Sequence, residues 1–176
     1  MRTFGGVTLF VLLAGVGRSQ DEPNPKTLIP QPVIEALFAY GVRKHAWNAQ
    51  FEWHCLSKLF NLPGRDSVGW AAQWHDTQTS ALYCGFPAKL AAAGPAIGIE
   101  QDKQKMSSGM ALIRTFSIPC EPTKKNGMRT RTMPHHEPER WAAYRLYNAR
   151  DVEVERSVAR KLRAFPVPQS ERFLWY

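Results

Sequence analysis

The sequence predicts a globular α/β fold, both from its composition and from the patterning of its apolar residues. The 176 residues are 44% hydrophobic and 22% charged, which is typical of one folded domain and excludes collagen and bulk disorder. Short apolar runs typical of strands alternate with segments whose apolar residues recur at helical spacing. Strands that alternate with helices indicate an α/β fold.

The N-terminal segment, residues 1–32, has two interpretations. Residues 7–17 form an apolar run after a basic residue, as in a secretory signal peptide, and Gly15 and Gly17 resemble its cleavage site. The run also begins with β-branched and aromatic residues between glycines, which favours a buried strand. Because crossing a bilayer needs about 20 apolar residues, we expect no membrane span. Four prolines in residues 19–32 predict a loop.

The next segment predicts a helix, a strand and a second helix in that order. We expect a short helix over residues 33–38, a brief strand over 42–47 and a helix over 49–60, where apolar residues recur at helical spacing. Asn48 stands where an N-cap residue would stand. Strand and helix therefore meet at this residue.

The middle of the chain predicts two further helices separated by loops. Residues 63–69 contain proline and glycine and predict a loop, and the helical stretch after it ends at residues 83–85. An alanine-rich helix is expected over residues 88–93, because Gly94 and Pro95 follow it and would break it.

A basic loop and a long helix occupy the C-terminal third. Residues 119–134 contain several lysines and arginines with almost no large apolar residue, so we expect an exposed loop. A helix begins at Pro138, where proline in the first turn and Glu139 near the positive end of the dipole both favour its start. The prolines in residues 165–168 end it.

The positive charge is concentrated in one part of the chain. The net charge is +8, and residues 103–163 hold 14 basic and 6 acidic residues, which accounts for all of the excess. A localised basic region is suited to a polyanion such as DNA, although a solvated charged face would have the same composition.

The three cysteines are isolated in the sequence, which excludes a zinc ribbon and a redox dithiol. An odd, sparse set of cysteines is typical of a reducing compartment, so the sequence predicts a cytoplasmic protein. The chain also contains no Walker loop, no nucleophile elbow and no dinucleotide-binding fingerprint.

Two short patterns carry groups suited to catalysis. In residues 45–52 a polar residue, Asn48, leaves a strand, and Glu52 follows in the first turn of a helix. Tyr147 and Asp151 are four residues apart, so a helix places the phenol and the carboxylate on one face. Each pattern alone more often has a structural role, as a helix-end charge or a surface pair.

Together and in this order, the patterns resemble the second and third motifs of the DEDDy class of 3′–5′ exonucleases, the proofreading domains of family A DNA polymerases. The resemblance to the phage-type branch extends over four further segments, residues 81–87, 111–120, 126–131 and 151–156. It covers about residues 30–176.

The resemblance implies an RNase H-like fold, a mixed sheet flanked by helices, in which carboxylates hold Mg²⁺ or Mn²⁺. By position, Asp151 would be a metal ligand and Tyr147 would orient the attacking water. Glu52 would be the second-motif carboxylate and a metal ligand, where the class usually has Asp, and Asn48 would help shape the substrate site. Asp76 is a candidate for a structural role beside the site, although a helix N-cap explains it equally well. The substrate would be a single-stranded DNA 3′ end, with its phosphates bound by the basic residues Lys124, Lys125, Arg129 and Arg131.

One motif of the class is missing. The class has Asp-x-Glu on its first strand, and no Asp-x-Glu occurs before residue 45. We therefore expect a partial exonuclease-like domain over residues 33–165 that lacks its first strand, with residues 166–176 starting a linker towards a polymerase domain. A separate polypeptide would then carry the missing motif or the polymerase domain.

The sequence thus predicts a partial 3′–5′ exonuclease that is inactive alone. The alternative is a non-catalytic remnant that binds single-stranded nucleic acid, and a small secreted protein with coincidental motifs is a third interpretation.

Overall fold

The computed structural model describes residues 29–39, 41–61, 68–99 and 106–171. The predicted strand at residues 7–17, and nearly all of the N-terminal segment, lie outside these ranges. The described residues form two compact units, one from residues 29–99 and 152–171 and the other from residues 106–151.

Both units are mostly helical. The first contains helices α1 (Gln31–Phe38), α2 (Ala49–Phe60), α3 (Val68–Ala71), α4 (Thr77–Tyr83) and α5 (Leu90–Ala96), with strands β1 (Lys44–Ala46) and β2 (Trp74–Asp76). The second contains α6 (Met106–Ser117) and two 3₁₀ turns, Lys124–Asn126 and Pro134–His136. Helix α7 (Pro138–Leu162) begins in the second unit and ends in the first. Within the described ranges, no helix combines the length and apolar character that crossing a bilayer requires.

The two strands pair in parallel, with Lys44 opposite Trp74 and Ala46 opposite Asp76. Helix α2 begins three residues after β1, and α4 begins directly after β2. Because the strands are parallel and in register, both helices start at the same edge of the sheet. This arrangement confirms the predicted α/β class as a mostly helical fold with a small parallel sheet.

Each unit has its own apolar core. In the first unit, Ala81 on α4 packs with Val158 and Leu162 on the last turns of α7. In the second unit, Leu112 and Phe116 on α6 pack with Tyr144 on α7, and the rings of Phe116 and Tyr144 stack with centroids 5.6 Å apart.

Several predicted elements are confirmed. Helix α2 has the predicted bounds, α7 begins at the predicted proline, and β1 is a shorter version of the predicted strand. Helix α5 begins at Leu90, two residues later than predicted, and it continues through Gly94 and Pro95 rather than stopping before them. Pro95 is tolerated because it stands in the last turn, where it removes one helical hydrogen bond before the helix ends.

Asn48 stands at the N-cap position of α2, as the sequence predicted. Asn48 precedes α2, but its side chain makes no capping hydrogen bond. Its backbone is left-handed, with φ of 64°, a conformation that asparagine adopts more readily than most residues. The tight turn from β1 into α2 requires this conformation, and another residue satisfies the N-terminus of α2.

Candidate functional site

The first part of the candidate site is the end of β2. Asp76, the last residue of that strand, is buried, and its two carboxylate oxygens accept hydrogen bonds from the backbone N–H groups of Ala49 and Thr79, each at 3.0 Å. Asp76 therefore caps α2 and α4 together. Burial raises the pKa of Asp76, and the backbone donors lower it in part. The N-cap interpretation of Asp76 is confirmed for α4, and the contact with α2 adds to it.

Glu52 lies in the first turn of α2 and is only 6% exposed. The pKa of Glu52 is raised to about 7, chiefly by burial; a backbone hydrogen bond opposes this shift, and the charges of Glu155 and Asp76 add to it. Its Oε2 atom is buried and has no hydrogen-bond partner among the described residues. A buried carboxylate oxygen without a donor carries an uncompensated desolvation cost. A proton or a bound cation at Glu52 would relieve that cost.

Glu155 on α7 is a third buried acid, 3% exposed, which the sequence analysis missed. Its Oε1 accepts a hydrogen bond at 2.9 Å from the hydroxyl of Thr77, the first residue of α4. Glu155 stands three residues before Val158 and seven before Leu162. This helical spacing would have predicted that Glu155 lies on the buried face of α7. In the described part of the chain, no three His, Cys, Asp or Glu side chains are placed to hold a metal ion together.

The predicted pair Tyr147 and Asp151 meets on α7 in the second unit. The hydroxyl of Tyr147 donates a hydrogen bond to the carboxylate of Asp151, and both side chains are half-buried. Burial raises the pKa of each group, and the hydrogen bond raises the pKa of Tyr147 further while lowering that of Asp151. The phenol therefore stays protonated and holds the carboxylate in place.

The ring of Tyr147 packs directly on Gly109 of α6. Gly109 is buried, and a Cβ atom at this position would overlap the ring. The absence of a side chain at residue 109 thus allows α6 and α7 to approach closely at the point where Tyr147 is held.

The basic loop has a defined conformation. The Thr123 and Asn126 side chains cap each other's backbone N–H groups around the 3₁₀ turn that carries Lys124 and Lys125. At the base of the loop, the backbone N–H of Cys120 donates to the carbonyl of Thr130 at 2.7 Å. These hydrogen bonds fix the loop, and they leave both lysines exposed as predicted.

Arg129 and Arg131 differ from the prediction of an exposed basic loop, because both are only partly exposed. Arg129 forms an ion pair with Glu137 at 3.7 Å. The Nε atom of Arg129 and one terminal nitrogen of Arg131 are buried without a hydrogen-bond partner among the described residues. The ion pair joins the loop to the residue that directly precedes α7.

The structure thus groups the predicted residues by unit. Glu52 lies in the first unit, near Asp76 and Glu155, with Asn48 in the turn before its helix. The Tyr147 and Asp151 pair and the basic loop belong to the second unit.

Comparison with known proteins gives one informative result. The chain is 41% identical over 147 residues to a DNA polymerase of Bacillus phage SP02. The match covers 84% of this chain and 22% of that polymerase, so the chain spans about a fifth of its relative. No family model matches the chain, and no solved structure matches it. The chain is therefore related to a region of a phage DNA polymerase.

Proposed function

We propose that this chain contributes to the 3′–5′ exonuclease, or proofreading, site of a phage-type DNA polymerase, within an RNase H-like fold. Such a site hydrolyses phosphodiester bonds at DNA 3′ ends. The observation that carries the proposal is the ordered appearance of Glu52 after a strand and Tyr147 with Asp151 on a later helix, in a chain related to a phage DNA polymerase.

The environment of Glu52 supports a role in binding a cation. Carboxylate oxygens are the ligands that Mg²⁺ and Mn²⁺ prefer. Glu52 presents a buried Oε2 that has no donor among the residues the structure describes, and its pKa of about 7 allows the carboxylate to form at neutral pH. The donor type of Glu52 therefore fits a divalent metal, and carboxylates from outside the described residues would complete its ligands.

A bound divalent metal in such sites lowers the pKa of the attacking water and stabilises the leaving 3′-oxygen. The chain's own residues have separate tasks in the proposal. Tyr147, held by its hydrogen bond to Asp151 and by its packing on Gly109, orients the water. Lys124 and Lys125, exposed on the fixed loop, bind phosphates of the single strand.

The test is cleavage of a 3′-labelled single-stranded oligonucleotide by the full chain with Mn²⁺ or Mg²⁺. Because no Asp-x-Glu precedes Glu52 in these 176 residues, we expect turnover far below about 1 s⁻¹, an ordinary enzymatic rate. The slow cleavage should start at the 3′ end and disappear in Glu52→Gln and in Asp151→Asn. Glu153→Gln, an exposed acid two residues beyond Asp151, is the matched control and should keep it.

Equal cleavage by the wild type and both variants would contradict the proposal. If the wild type shows no detectable cleavage, Mn²⁺ binding is measured by electron paramagnetic resonance. Unchanged Mn²⁺ binding in both variants would then contradict the proposal as well. DNA binding without either signal would favour the non-catalytic alternative.

A further inference from the structure

A cavity of about 200 Å³ lies in the first unit beside the C-terminal end of α7. One wall comes from β2 and α4, and the other comes from α7 and the residues that follow it. Its lining includes His75, Thr77, Ser80, Leu162, Arg163 and Phe165. Neither Glu52 nor the Tyr147 and Asp151 pair lines it, so this cavity is not part of the proposed exonuclease site.

Arg163 gives the cavity an uncompensated positive charge. Among the described residues, the Arg163 guanidinium makes no ion pair, and its side chain is exposed. The charge also acts on His45: burial lowers the pKa of that imidazole, and the cations Arg43 and Arg163 lower it further. The hydroxyl of Thr77 donates to Glu155 at 2.9 Å, so its proton is not available to a ligand. Arg163 is therefore the cationic group of this lining, and it can hold an anion through its guanidinium.

The wall opposite Arg163 is held by hydrogen bonds. The Ser80 hydroxyl donates to the carbonyl of Asp76 at 3.1 Å, and its oxygen lies 3.3 Å from Nε2 of His75. Because the hydroxyl has one proton, Nε2 of His75 is the donor in the second contact. The His75 ring is also paired across the sheet with His45, at a centroid distance of 4.9 Å. The wall is therefore fixed by its own hydrogen bonds.

The rest of the lining is apolar. Leu162, Phe165 and Val167 form this part, and the ring of Phe165 is half exposed. An edge-on contact with Phe86, at a centroid distance of 6.0 Å, holds that ring. The guanidinium of Arg163 can bind the anionic end of a ligand, and the ring of Phe165 can contact an apolar face of the same ligand.

We propose that this cavity binds a small phosphomonoester, with the phosphate on Arg163 and the organic group against Phe165. The cavity is smaller than the roughly 300 to 1,000 Å³ of sites for drug-sized molecules, so it suits inorganic phosphate or the phosphate end of a mononucleotide. Guanidinium groups bind phosphate through charge-assisted hydrogen bonds.

The experiment is calorimetric titration of the full chain, in EDTA so that no metal contributes, with inorganic phosphate, deoxyadenosine 5′-monophosphate and deoxyadenosine. We expect the monophosphate to bind and deoxyadenosine not to bind. Arg163→Ala should weaken binding about tenfold, as expected for the loss of one strong charge-assisted contact. Arg160→Ala, three residues before Arg163 and hydrogen-bonded to Ser157, is the matched control and should leave the affinity unchanged.

The two phosphate sources are distinguished by their relative affinities. Equal affinity for phosphate and the monophosphate assigns the cavity to free phosphate, and tighter binding of the monophosphate assigns it to nucleotides through Phe165. The proposal is overturned if deoxyadenosine binds as tightly as its monophosphate, or if Arg163→Ala has no effect. Glu52→Gln should not alter binding, and a loss there alone would place the ligand at the proposed exonuclease site instead.

Discussion

Asp76, the last residue of β2, accepts a hydrogen bond at 3.0 Å from the backbone N–H of Ala49, the first residue of α2 and 27 positions earlier in the chain. The same carboxylate accepts from the N–H of Thr79, so one side chain satisfies the N-termini of two helices. Both helices also carry residues at the buried acids: Glu52 itself lies on α2, and Thr77 on α4 donates a hydrogen bond to Glu155.

We predict that Asp76→Ala lowers the free energy of unfolding by about 2 to 4 kcal/mol, because a cap contributes about 1 to 2 kcal/mol and a second, buried N–H also loses its acceptor. Asp76→Asn keeps one side-chain oxygen, so its free energy of unfolding should fall by less. Urea denaturation followed by circular dichroism measures both. Equal losses in the two variants would show that the charge, rather than the double contact, is what matters.

Glu52 should make stability depend on pH. Its pKa of about 7 in the folded state lies above its ordinary value of 4.5, so the folded state holds a proton that the unfolded state releases. The associated stability is present below about pH 4.5 and is lost as the pH rises to about 7. The lost free energy is about 3 kcal/mol from a shift of this size. Glu52→Gln removes this titration.

The measurement is the free energy of unfolding of wild type and Glu52→Gln at pH 4.5 and pH 8, in EDTA. From pH 4.5 to pH 8, the free energy of unfolding of the variant should rise by about 3 kcal/mol relative to that of the wild type. Glu35→Gln, an exposed glutamate on α1, is the control. A difference between Glu52→Gln and wild type that does not change with pH would refute the assigned burial.

Gly109→Ala should destabilise the second unit by about 1 to 3 kcal/mol, the usual cost of overpacking, because the added methyl overlaps the ring of Tyr147. Gly69→Ala is the matched control, since Gly69 lies exposed in α3 with open space around it. There the same substitution should stabilise the protein by about 0.5 to 1 kcal/mol through helix propensity. Thermal unfolding distinguishes the two signs. Higher thermal stability in both variants would contradict the close approach of α6 and α7.

Lys124 and Lys125 should carry a measurable share of DNA binding. Replacing both by Ala should reduce the slope of log affinity against log salt by about 1.4, since each lost phosphate contact on a single strand changes it by about 0.7. Fluorescence anisotropy of a labelled single-stranded oligonucleotide measures the slope. The control is the double variant Lys58→Ala with Lys89→Ala, which removes two exposed lysines of the first unit and should leave the slope unchanged. Identical slopes in all three proteins would identify the loop as merely solvated.

The elements that the sequence determined by itself are those with local signals. Helix α7 could be bounded because Pro138 favours a first turn and Pro166 lies just beyond its end. Helix α2 could be predicted because its apolar residues recur at helical spacing directly after Asn48. The exposure of Lys124 and Lys125 also followed from composition alone, since no apolar neighbour could bury them. Short-range sterics and solvation decide such features.

Only the tertiary structure decided the chemistry of the acids. The burial of Glu52, the capping of α2 by Asp76 and the contact of Thr77 with Glu155 each join residues or surfaces distant in the chain. The last contact spans 78 positions. A pKa depends on what surrounds the group in space, and neither desolvation nor a neighbouring charge from another element is encoded within a few residues of it.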